Sequence, residues 1–240
     1  MKTIGIIGGI SWLSSVEYYR LLNEEVNKRL GGVYAGKIIL YSVNFAEIKK
    51  LTQEDRWDQL SEITSDIART LEKAGADCIL IGANTMHKIA DDIQQAISIP
   101  VIHVAEATAL QIKKQQLKTV ALLGTKYTMR LDFYKNKLSA HGITTIIPGD
   151  EEIEYLNTAI YEEMGKGIFL PVTKQKLLDI IDSLVIKGAE GIVLGCTEIP
   201  LLINQEDCQV PIFDTTKIHS MAAVDFALSD TTILARNYIH

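Results

Sequence analysis

Ala76–His87 (ADCILIGANTMH) and Ala189–Pro200 (AEGIVLGCTEIP) are two copies of one pattern, 113 positions apart. Each is an apolar run of strand length that ends in Gly and opens into a short polar loop. Two further pairs keep the same order. Ile4–Gly9 (IGIIGG) matches Val120–Thr125 (VALLGT) at an offset of 116, and Ser98–His103 (SIPVIH) matches Gln209–Asp214 (QVPIFD) at 111. Any two α/β units share a strand–loop–helix rhythm. Here the loops after the strands align as well as the strands do, which favours duplication. The chain therefore reads as two homologous α/β lobes related by a pseudo-twofold axis, each a mostly parallel four-stranded sheet flanked by helices, with the active site expected in the cleft between them.

The intervening stretches fit that plan. Thr3–Ile7, Lys37–Val43, Asp77–Ile81 and Pro100–Val104 read as strands; Ser14–Leu30, Trp57–Ala74 and His87–Ile97 read as helices. Continuous Val/Ile/Leu strands separated by helices mark a parallel sheet covered on both faces. The boundaries expected are 1–100 plus 215–240 for the first lobe and 101–214 for the second, because the helix Thr216–Leu228 follows a strand that mirrors the one ending at Val104. The polar tail Ser229–His240 is expected to fray.

Composition narrows the function. The 240 residues carry 24 Lys+Arg against 30 Asp+Glu, a formal charge of −6. No basic stripe is available to meet phosphates, so nucleic acid is not the expected partner. No apolar run approaches the roughly 20 residues of a membrane span. The start, MKTIGIIGG, lacks a small-residue cleavage site and is not read as a signal peptide. Three cysteines, Cys78, Cys196 and Cys208, are too few and odd for a disulfide framework, which points to a reducing cytoplasm. Cysteines and histidines lack close ligand spacing, so no metal site is expected. Gly8-Gly9 is followed by Ile10-Ser11-Trp12, not by a dinucleotide fingerprint.

The chemistry concentrates where the copies correspond. Ala83 in the first loop matches Cys196 in the second; Asn84 and Thr85 match Thr197 and Glu198. Backbone N–H groups and a helix start beside a strand-end thiol are expected to lower its pKa and favour thiolate, a competent base for proton transfer. Cys78 sits inside a strand and reads as core; Cys208, in a polar loop, reads as incidental. Asn84, Thr85, Thr125, Thr197, Ser11 and Ser14 are short donors beside backbone amides. They read as carboxylate receivers or as helix N-caps. His87, four residues after Ala83, reads either as a group handling a proton beside the site or as a hydrogen-bonded structural histidine.

Ile192–Leu202 (IVLGCTEIPLL) resembles the C-terminal cysteine signature of the aspartate/glutamate racemase superfamily, and Leu80–Lys88 (LIGANTMHK) its N-terminal signature. Gly8–Tyr19 (GGISWLSSVEYY) resembles the opening of the aspartate racemase and broad-specificity amino-acid racemase branch. The resemblance spans essentially the whole chain. It implies a cofactor-independent site with two cysteines working on opposite faces of one carbon, an acidic amino acid as substrate, and a homodimer. The second cysteine maps onto Cys196. The first maps onto Ala83, which has no acid–base group. By motif the carboxylate receivers fall on Asn84, Thr85, Thr125 and Thr197, a substrate lysine on Lys166, and thiol-supporting groups on His87 and Glu198. Lys126, Arg130 and Arg56 are further cations for a side-chain carboxylate. Ala83 admits three readings: an engineered Cys or Thr replacement, a natural one-base member, or a protein that kept binding and lost racemisation. Two other functions stay open, a single-cysteine decarboxylase of the same superfamily and a non-catalytic acidic-amino-acid binding protein.

Overall fold

The computed structural model describes residues 1–229, so the expected fraying from residue 230 on lies outside the described residues. In the first half the elements are β1 (Ile4–Gly8), α1 (Trp12–Leu30), β2 (Ile38–Ser42), α2 (Phe45–Gln53), α3 (Trp57–Lys73), β3 (Cys78–Ile81), a 3₁₀ turn (Thr85–Ile89), α4 (Ala90–Ala96) and β4 (Val101–Ile102). The second half runs α5 (Val104–Lys114), β5 (Thr119–Gly124), α6 (Lys126–Arg130), α7 (Asp132–Ala140), β6 (Thr144–Ile146), α8 (Asp150–Glu162), a 3₁₀ turn (Met164–Lys166), α9 (Pro171–Ile186), β7 (Gly191–Gly195), β8 (Ile212–Asp214) and α10 (Thr215–Leu228). The strands form two four-stranded parallel sheets, ordered β2-β1-β3-β4 and β6-β5-β7-β8. This is the α/β class expected from the repeat.

The chain divides into two compact units, Met1–His103 with the chain from His219 on, and Val104–Ile218. In the first, alternate strand residues feed two cores. Ile7, Ile79 and Ile81 pack with Leu60, Ile67 and Leu71 of α3; Ile4, Ile6, Cys78 and Leu80 pack with Tyr18 and Leu22 of α1 and Val224 and Ala227 of α10. The second unit does the same. Ala121, Leu123, Ile192 and Leu194 face α8 and α9, while Val120, Leu122 and Val193 face α5 and α7. Both faces of each central strand are buried, which is why these strands are apolar throughout.

The two copies also share a carboxylate at the start of the third strand of each sheet. Thr3 N donates to Asp77 Oδ2 at 2.6 Å; Lys118 N and Thr119 N donate to Glu190 Oε2 at 2.6 and 2.9 Å. Those N–H bonds hold the Glu190 carboxyl below its ordinary pKa.

Several boundaries differ from the sequence expectation. The strand expected over Pro100–Val104 is only Val101–Ile102, and Val104 already begins α5. The helix expected over His87–Ile97 opens as a 3₁₀ turn and becomes α-helical at Ala90. α2 was not anticipated. Its start is fixed by Asn44, whose side chain accepts from Ala46 N at 3.1 Å.

Glycines bring the strand ends together. Gly124 and Gly195 are register partners across β5 and β7, and a Cβ on Gly124 would come to 2.7 Å of the Gly195 carbonyl oxygen. Backbone cannot yield there as a side chain can. Gly124→Ala is expected to destabilise the protein by about 1–3 kcal/mol, read as a lower urea midpoint; an unchanged midpoint contradicts this close approach.

Candidate functional site

Cys196 follows directly on Gly195, at the C-terminal end of β7, the end where open α/β sheets carry their ligands. Its side chain is buried and contributes to the core with Ile192, Leu194 and Ile199. Cys196 Sγ donates to Glu198 Oε2 at 2.9 Å, and Thr197 Oγ1 donates to the same oxygen at 2.7 Å. Glu198 is therefore buried but held by two donors, as a buried carboxylate requires.

This arrangement corrects the expected thiolate. The Cys196 pKa is raised well above the ordinary thiol value, first by burial and then by the charge and hydrogen bond of Glu198; backbone N–H groups at Thr197 and Glu198 pull the other way and lose. The resting sulfur is a thiol whose proton points at a carboxylate. Tyr161, near the end of α8, borders the same group. Its phenol is pushed up by burial, with Cys196, Tyr127 and Glu198 adding to the effect.

Thr125 is the N-cap of α6. Its hydroxyl accepts from Thr128 N at 3.3 Å and lies 3.2 Å from Thr128 Oγ1.

In the first unit the corresponding loop leaves β3 at Gly82. The Ala83 methyl is buried beside Ile81 and Met86, and Asn84 is buried too. Thr85 begins the 3₁₀ turn. His87 is fully enclosed, and its Nδ1 donates to the Ala83 carbonyl at 3.0 Å. Burial, with His103 and His219 close by, holds its pKa well below the ordinary value. His87 is thus a buried imidazole, its Nδ1 bonded to the backbone of the loop that carries Ala83. Ser11 stands at the start of α1 with its Oγ 3.4 Å from Ser14 Oγ. The turn is closed instead by Ser15, which accepts from Gly9 N at 2.7 Å and donates to Ser11 O at 3.2 Å. Gly9 has φ +85°, and a Cβ there would meet backbone of Val43.

The sequence model of the Asp/Glu/hydantoin racemase family matches residues 7–223, which takes in both loops. The chain belongs to that family. A crystal structure of a Yersinia pestis protein assigned as an Asp/Glu racemase superposes with a TM-score of 0.89 and 47% identity, covering 95% of this chain and 100% of that one. An aspartate racemase homologue from Pyrococcus horikoshii gives 0.81 and 37%, over 95% and 99%. The broad specificity amino-acid racemase RacX of Bacillus subtilis is 27% identical over 172 residues, 72% of this chain and 74% of that protein.

The racemase-family site residues proposed from sequence fall into two groups by unit. Cys196, Thr197 and Glu198 form one hydrogen-bonded set in the second unit, with Thr125 at the end of the adjacent strand β5. Ala83, Asn84, Thr85 and His87 form one loop in the first, with Ser11 after β1, the strand paired with β3. The cations fare differently. Lys166 is exposed and paired with Glu162 at 2.5 Å. Arg130 pairs with Asp150 and Glu154, Arg56 with Asp58, and Lys126 Nζ lies 5.5 Å from the Tyr127 ring centroid. Cys78 is fully buried core, its thiol pushed up to about 12 by burial. Among the described residues no group of three or more His, Cys, Asp or Glu is arranged to hold a metal, and no helix is long and apolar enough to cross a membrane.

Sequence reasoning missed Ser15, Tyr161, Tyr18 and His219. Tyr18 alone had a visible signal, because Tyr134 repeats it at the 116-residue offset of the first strands.

Proposed function

We propose that this protein is a cofactor-independent amino-acid racemase-type enzyme acting on aspartate or glutamate, in which Cys196 alone moves the α-proton. The observation that carries this is the buried Cys196 thiol donating to Glu198 at 2.9 Å in a chain of the racemase family. Glu198 Oε2 takes the thiol proton, and the thiolate left behind takes the α-proton of the substrate. Asn84, Thr85, Thr125, Thr197 and Ser11 are the proposed receivers of the substrate carboxylates, where short donors stabilise the charge that spreads onto the α-carboxylate as the proton leaves. Lys166 is the proposed cation for the side-chain carboxylate, which requires it to leave Glu162. Ala83 offers no second acid–base group, so the returning proton comes from the face of Cys196. The enzyme is further proposed to be cytoplasmic, in line with its three free cysteines, and to work as a homodimer, as the family resemblance implies.

Loss of one positioned acid or base costs roughly 10²–10⁴-fold, so solvent exchange at Cα is expected to outrun racemisation by that order. Proton NMR in D₂O, with L- and D-Asp and L- and D-Glu followed separately, reads both. The α-proton signal should fade from one enantiomer of a pair with little inversion. Equally fast exchange from both enantiomers would defeat the one-base reading; no exchange from any of the four would defeat the activity.

A further inference from the structure

His219 lies on α10 and is fully buried. Its Nε2 donates to the Ile102 carbonyl at 2.5 Å, and Tyr18 OH is 2.8 Å from its Nδ1. A carbonyl oxygen only accepts, so the ring proton sits on Nε2, and Nδ1 of the neutral ring accepts from the tyrosine. The ring then packs edge-on against His87, with centroids 5.3 Å apart and planes at 66°. His103 also packs edge-on against His87, at 4.8 Å and 61°. His87 in turn carries its proton on Nδ1, the atom facing the Ala83 carbonyl. One connected chain of contacts therefore runs from Tyr18 through His219 and His87 to the backbone of the Ala83 loop.

The duplication supplies an internal comparison. Tyr134 stands 116 positions after Tyr18, and His219 stands 111 positions after Thr108, the offsets that relate the flanking strands. The second unit keeps the tyrosine contact with a smaller partner. Tyr134 OH donates to Thr108 Oγ1 at 3.1 Å, and Thr108 Oγ1 donates to Val104 O at 2.8 Å. Pro200 occupies the place of His87 there. A hydroxyl therefore suffices to bury the tyrosine and tie its helix down. The imidazole in the first unit adds reach: it spans from Tyr18 and Ile102 to the ring that holds Ala83.

We propose that Tyr18 and His219 are positioning residues for the Ala83–Asn84–Thr85 loop, acting through His87. This rests on the reading of that loop as a carboxylate receiver in the proposed reaction. Hydrogen bonds fix the His219 ring between Tyr18 and Ile102 and the His87 ring against Ala83, and the edge-on contact of the two rings passes that placement to the loop.

The test uses the full-length protein with Tyr18→Phe, His219→Thr and, as control, Tyr134→Phe. His219→Thr installs the side chain that the second unit tolerates. Because charge on the substrate carboxylate grows in the transition state, mispositioned donors are expected to lower kcat for α-proton exchange about tenfold or more, with KM moving less. Tyr134→Phe loses a comparable buried hydrogen bond and leaves kcat unchanged. Imidazole ¹⁵N NMR is expected to show His219 protonated on Nε2 and His87 on Nδ1. Amide exchange of Asn84, Thr85 and His87 is expected to quicken in Tyr18→Phe and not in Tyr134→Phe. If wild type exchanges no amino acid, the activity reading fails alone, and the amide-exchange arm still decides the positioning. The opposite tautomers, unaltered loop exchange, or unaltered kcat in both first-unit variants of an active enzyme would overturn the proposal.

Discussion

Cys196→Ala is expected to remove α-proton exchange, by roughly 10²–10⁴-fold against wild type, which is about 3–5 kcal/mol of barrier at 1.36 kcal/mol per decade. Binding of the amino acid, followed by calorimetry, should persist. The variant leaves Glu198 with its Thr197 donor at 2.7 Å, so no buried carboxylate is orphaned and the fold is retained. Glu198→Gln separates two roles for the carboxylate. Its charge and hydrogen bond both push the thiol pKa up, so a Glu198 that merely kept sulfur protonated would act as a brake, and its removal would speed exchange. As the acceptor of the thiol proton it is required, and its removal slows exchange. The 2.9 Å Sγ–Oε2 bond favours the second, with a loss of the order of 10²-fold. Exchange that survives Cys196→Ala would reject the thiol as the base.

The parts of the molecule that the sequence made legible are those governed by local pattern. Ile4–Gly8 and Thr119–Gly124, or Cys78–Ile81 and Gly191–Gly195, are apolar on both faces because both faces are covered, and the repeat announced two sheets of one plan, although their strand orders came only with the fold. Even the carboxylates Asp77 and Glu190 serve the same purpose at matching places. What stayed hidden depended on neighbours. The strand-end argument for a low Cys196 pKa counted nearby N–H groups and gave no weight to the acceptor two residues on. α2 was overlooked because its apolar Phe45, Ile48 and Leu51 are sparse in a polar stretch, although Asn44 marks its start. Lys166 was selected by motif, yet its ammonium faces Glu162 at the surface. His219 is far from His87 in sequence; only folding brings the two rings to 5.3 Å.

Acidification from about pH 6.5 towards pH 4 is expected to weaken the first unit through its buried histidines. Burial lowers the His219 pKa from 6.5 to about 4, against a smaller opposing contribution from the Ile102 carbonyl. His87 is moved in the same direction, by burial first and then by His103 and His219. In the unfolded chain both rings take up a proton near pH 6.5, while in the folded one they stay neutral. Between those values the unfolded state binds more protons, so stability falls as pH falls, and the loss from His219 is complete near pH 4. A gap of about 2.5 pH units at 1.36 kcal/mol each gives about 3 kcal/mol from His219, with His87 adding to it. In the same unit Asp58 and Glu72 are held below their ordinary values by hydrogen bonds, from Arg56 and Ser98 respectively. Their contribution is present above about 4.5 and lost only below it, under the range in which His219 and His87 act. Trp12 and Trp57 are the two tryptophans of the chain and both lie in the first unit, so their fluorescence in urea reads that unit. Its midpoint should drop steadily from pH 7 to 4.5 and drop less in His219→Thr. A flat midpoint over that range would show that these imidazoles are not kept neutral by burial.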